Sequence, residues 1–151
     1  MHISQEHLTR DRRSGVPKRV LVVVDDKNVA DGLGAVLRNL DYGISLALNL
    51  QDALERNPGE DFPIALVDGR MVGHEGSGRV ARLKEAYPGV ACVEVTRSGE
   101  PGADPGPAGD WAYDRIRVPV EAGDLIPVLD RCMERARLFR EREHAAAELG
   151  S

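Results

Sequence analysis

The chain has 151 residues and only two cysteines, Cys92 and Cys132. Two isolated thiols give neither a disulfide framework nor a zinc-type ligand spacing. One falls in an apolar strand and the other on the apolar side of a helix, as expected for reduced core residues of a cytoplasmic protein. No apolar run approaches the roughly 20 residues that cross a bilayer, so no membrane span is expected. The stretch 1–17 contains no apolar segment of the secretory type and reads as a polar N-terminal arm. Positive charge is also short. Twenty Lys and Arg stand against 25 Asp and Glu, a net charge of −5 that argues against direct nucleic-acid binding.

What is present is a pair of apolar runs that each end in aspartate. Val20 to Val24 runs directly into Asp25-Asp26, and Pro63 to Val67 runs directly into Asp68. Both are short and rich in β-branched residues, the pattern of strands buried on both faces. Ligands of an open parallel sheet sit outside the carboxyl ends of its strands. If the two strands are neighbours, three carboxylates meet there, and they repel unless a cation or proton lies among them. An all-oxygen set of this kind suits Mg²⁺.

Strands alternate with helices along the chain. Val29, Leu33, Val36, Leu37 and Leu40 recur at helical spacing behind a cap at Asp26 or Asn28, and Gly43 offers a left-handed C-cap. Ile44 to Leu48 is a second strand, followed by a short helix capped by Asn49. The Asp68 strand is third. Ser77 caps a helix carrying Val80, Leu83 and Tyr87. Ala91 to Val95 is a fourth strand and Tyr113 to Val118 a fifth, with Arg115 and Arg117 on one face and Ile116 and Val118 on the other. Between these two, Arg97 to Asp110 holds four Gly and three Pro and reads as a loop. A last helix starts near Gly123 or Asp124, with Pro127 in its first turn. Its stripe of Leu125, Leu129, Cys132, Ala136 and Phe139 is core packing up to Ala136. From there to about Leu149 it is an extended helix, either a dimer contact or solvated. This order predicts an α/β fold of three layers, with segments 1–17 (arm), 18–136 (globular domain) and 137–151 (helix or linker).

The loop Gly73 to Gly78 lies between a strand and a helix, as phosphate-binding loops do, but Arg79 and Val80 stand where that motif needs Lys and Ser or Thr. His74 is read there as an exposed loop residue. Asp68-Gly69-Arg70 lacks the second aspartate of dehalogenase-type phosphotransferases.

Lys18 to about Ala136 resembles the receiver domain of bacterial two-component response regulators. The markers are Asp25-Asp26 after strand one, Asp68 after strand three, Met71 and Gly76 beyond it, Thr96 after strand four and Pro119 after strand five. The resemblance implies a flavodoxin-like sheet of five parallel strands, order 2-1-3-4-5. It implies that Asp68 accepts a phosphoryl group from a sensor histidine kinase or phosphotransfer protein. It implies Mg²⁺ held by Asp26, Asp68 and the backbone carbonyl of Arg70, with Asp25 acting through water, and Thr96 bonding a phosphoryl oxygen as a switch. Phosphotransfer signalling, not turnover of a free substrate, is the implied activity. The chain departs from the family at Val118, where a lysine is expected, at Val72 and at Arg115. The Gly/Pro-rich loop also replaces a helix of the signalling face. The pocket is therefore expected to be short of positive charge, with Lys27 or Arg117 as stand-ins. A competing reading is a pseudo-receiver that binds partners without phosphorylation. A small flavodoxin-like enzyme is the remote third. An output domain or homodimer through the last helix is the implied downstream partner.

Overall fold

The computed structural model describes residues 15–56, 60–97 and 110–150. Five strands form one parallel sheet: β1 (Arg19–Val23), β2 (Gly43–Ala47), β3 (Ile64–Asp68), β4 (Ala91–Arg97) and β5 (Asp114–Val118), in the order β2-β1-β3-β4-β5. This is the expected topology, with β3 at the centre. Alternation along β1 explains the layering. Val20 and Val22 face one core with Ile64, Leu66, Leu33 and Leu129, while Leu21 and Val23 face a second with Ala65, Val67, Phe62 and Leu83. A strand buried on both faces must be apolar throughout, and every residue of β3 is buried, Asp68 included.

Helix α1 (Lys27–Asn39) and the last helix, α4 (Ala122–Gly150), cover the first face; α2 (Leu50–Arg56) and α3 (Gly73–Ala86) cover the second. Asp26 caps α1: its Oδ1 accepts from the backbone N–H groups of Asn28 (2.8 Å) and Val29 (3.4 Å). Asn49 caps the next helix through the Asp52 N–H at 2.7 Å.

Five expectations are corrected. The left-handed residue after α1 is Asp41 (φ 64°), not Gly43; aspartate tolerates that region better than most side chains. Helix α3 begins at Gly73, so Ser77 lies inside it, and the stretch from Gly73 to Gly78 is helical rather than a loop. Strand β4 runs two residues further than Val95, which takes Arg97 out of the loop and into the sheet. Helix α4 starts at Ala122, so Pro127 lies one turn deeper than its first turn and removes an intrahelical hydrogen bond. Val16 and Pro17, assigned to the arm from the sequence, are buried. Residues 98–109 of the Gly/Pro-rich segment lie outside the described residues, as do the first 14.

Candidate functional site

The register sets the site. Val23 pairs with Val67, and Asp68 pairs with Val95 of β4, so the segments after β1, β3 and β4 emerge at one edge of the sheet. Asp25, Asp26, Asp68 and Thr96 all lie at that edge. Among the described residues Asp68 is the one charged side chain in the fully buried class, at 2% exposure. A lone buried carboxylate is costly unless it is paired and hydrogen-bonded. Asp68 is both. Its Oδ1 accepts from the Arg70 backbone N–H at 3.0 Å, in the short 3₁₀ turn Gly69–Met71. Its Oδ2 accepts from Arg97 Nη2 at 2.9 Å and from Arg70 Nη2 at 3.2 Å.

The two guanidinium groups knit the three aspartates together. Arg97 also reaches Asp26 Oδ2 through Nη1 at 3.4 Å, and Arg70 reaches Asp25 Oδ1 at 3.5 Å. Asp26 thus divides its oxygens between the cap of α1 and the ion pair. The expected shortage of positive charge is overturned, and neither expected stand-in supplies it: Lys27 and Arg117 are exposed. The planar fork of arginine explains how one residue at the end of β4 spans two carboxylates. Among the described residues no group of three or more His, Cys, Asp or Glu side chains is placed to hold a metal ion by itself. The donor set nonetheless fits a hard cation. Oδ2 of Asp26 and Oδ2 of Asp68 already converge on a single positive group, and all the donors are oxygens.

Thr96 is half-buried, and its hydroxyl donates to the Ile116 carbonyl of β5 at 3.2 Å. Val118 is buried and lines a cavity of about 380 Å³ beside the site, together with Val29, Leu33, Val120 and Arg97. The lysine that the sequence lacks would have stood in this cavity wall.

Two residues of the site, Arg97 and Glu94, carry no role in the sequence reading. Arg97 reads as the start of the loop because a Gly/Pro-rich stretch follows it; its place directly after Thr96, in step with Val93 and Val95, is the available signal. Glu94 forms an ion pair with Arg115 at 3.2 Å beside the turn. Glu94 packs over Gly69 so closely that a Cβ there would lie 2.5 Å from its carboxylate. This contact holds the turn that aims the Arg70 N–H at Asp68.

No protein-family model matches the chain. Solved structures do. A response regulator receiver domain protein from Methanospirillum hungatei JF-1 superposes with a TM-score of 0.60 at 24% identity, over 78% of this chain and 95% of that one. The receiver domain of a sensor histidine kinase from Pseudomonas aeruginosa PAO1, described with a magnesium ion coordinated in its active-site cleft, gives 0.61 at 19% identity, over 78% and 98%. NtrX from Brucella abortus gives 0.68 at 23% identity; this chain covers 29% of that protein, and the match spans 84% of this chain. With its strand order, its layers and these superpositions, the chain has the fold of response-regulator receiver domains.

Proposed function

We propose that this chain is a receiver domain of two-component signalling that accepts a phosphoryl group at Asp68. The observation that carries the reading is Asp68 at the end of the central strand, the one buried carboxylate among the described residues, fixed by one backbone N–H and two guanidinium groups. A carboxylate oxygen of Asp68 attacks the phosphorus of a phosphohistidine on a sensor kinase or phosphotransfer partner. The P–N bond breaks, its electron pair stays on the imidazole nitrogen, and an aspartyl phosphate forms. The transition state is loose, so orientation and charge neutralisation carry most of the rate. Asp26, Asp68 and the Arg70 carbonyl would hold Mg²⁺, with Asp25 acting through water. Bound there, the ion would neutralise charge developing on the phosphoryl oxygens. Thr96 would exchange its Ile116 bond for one to a phosphoryl oxygen, coupling occupancy to the β4–β5 side of the sheet.

Two observations favour the second reading, a pseudo-receiver: both oxygens of Asp68 are engaged at rest, and Val118 offers no lysine. Acetyl phosphate with Mg²⁺, followed by intact mass, separates the two. A mass gain of one phosphoryl group is expected in the wild type and in Asp31→Asn, an exposed position on α1, and none in Asp68→Asn. No gain in any of them would sink the phosphoacceptor reading. An adduct that persists in Asp68→Asn would reassign the nucleophile.

A further inference from the structure

We infer that Arg97 and Arg70 are a tethered substitute for a divalent cation, with Arg97 as the gate over the Asp68 oxygen. The inference depends on the phosphoacceptor reading only in naming magnesium as the competing ion. It starts from charge. Three carboxylates bring −3 to the edge of the sheet, and the two guanidinium groups bring +2, the charge of one Mg²⁺. It continues from geometry. A magnesium ion on Asp26 and Asp68 needs oxygens at about 2.0–2.1 Å in a near-octahedral shell. The Arg97 fork already holds Oδ2 of both, at 2.9 and 3.4 Å. Two cations cannot share those oxygens without repelling each other, so metal entry requires the guanidinium to leave.

Its alternative place is the adjoining cavity of about 380 Å³, walled by Val29, Leu33, Val118 and Val120. The apolar walls favour the methylene stem of an arginine, and none of the described residues that line the cavity offers a carboxylate for its head. Opening is therefore uphill in the resting protein and occurs when another charge arrives. The site is closed and carries only about one net negative charge by itself, and it admits a metal ion only weakly.

The test is Mg²⁺ titration read by amide NMR shifts of Asp26, Asp68 and Arg70 in wild type, Arg97→Gln, Arg97→Lys and Arg70→Gln. Arg97→Gln is expected to bind Mg²⁺ at least about tenfold more tightly than wild type, given a cation within roughly 4 Å of the same oxygens. Arg97→Lys should fall between the two, since one ammonium cannot fork across both carboxylates. Arg70→Gln should gain less, because Arg70 is half-exposed. Equal or weaker binding in Arg97→Gln, or no binding in any variant, overturns the inference. Should that variant fail to fold, affinities indistinguishable among wild type, Arg97→Lys and Arg70→Gln overturn it. Failure of acetyl phosphate labelling with this order of Mg²⁺ affinities intact would instead remove the phosphoacceptor reading and leave the gate standing.

Discussion

At the scale of single residues, Asp26 shows how one side chain serves two structures. Oδ1 caps α1 and Oδ2 meets Arg97. Bare repulsion among three aspartates would make Asp26→Asn stabilising. Here the repulsion is already offset, and asparagine keeps the cap while losing the ion pair. Asp26→Asn should cost up to about 1 kcal/mol, and Asp26→Ala about 1–2 kcal/mol, read from urea unfolding midpoints. Val118→Lys tests the same balance. In the wild type it places an ammonium beside Arg97, so it should leave beryllofluoride affinity unchanged or lower it. In an Arg97→Ala background it should raise that affinity several-fold. An equal gain in both backgrounds would show that Arg97 does not fill the lysine's place. The aspartates were legible from sequence because a carboxylate that ends an apolar run stands out. Their counter-ions were not, because arginine is common at surfaces and only register shows which one points inward.

At the scale of elements, patterns that depend on burial were readable and patterns that depend on capping were not. The central strands appear as unbroken β-branched runs because both of their faces are covered. The start of α3 reads as a turn because glycine, histidine and serine favour one, whereas the helix begins directly after Val72. Two turns depend on glycine. Gly69 lies under Glu94, and Gly89 has φ 87° with the Phe139 ring 2.7 Å from where a Cβ would sit. Gly69→Ala and Gly89→Ala should each destabilise the fold by about 1–3 kcal/mol. The Gly69 variant should also weaken beryllofluoride binding, and the Gly89 variant should not, because Gly89 packs against the far half of α4. The sheet also buries both thiols. Burial raises Cys92 to about 11 and Cys132 to about 12, from a usual value near 9. From about pH 9 upward the unfolded chain releases these protons and the folded chain retains them. Stability present below pH 9 should therefore fall as pH rises toward 11, and Cys92→Ala with Cys132→Ala should flatten that slope.

At the scale of the whole molecule, the site and the end of α4 lie at opposite poles. The helix leaves the carboxyl edge of the sheet after β5 and runs back along the first face. It is fastened at the far pole. Arg135 donates to the Gly89 and Val90 carbonyls at 3.0 and 3.1 Å, Phe139 covers Gly89, and Arg140 pairs with Asp61. Truncation after Arg140 should leave the unfolding midpoint unchanged, while truncation before Arg135 should lower it by several degrees. From Glu141 to Glu148 every residue is exposed, and ion pairs along the helix, such as Arg137 with Glu134 and Glu141, help support it. No helix among the described residues is long and apolar enough to cross a membrane. The mechanical consequence is a pointer. The ten helical residues beyond Arg140 project about 15 Å past the last fastening, so a tilt of about 15° there sweeps the tip through roughly 4 Å. The projecting end can therefore change direction while the contacts up to Arg140 stay in place, and a pair of spin labels at Asp31 and Ala147 would register it as a change in separation.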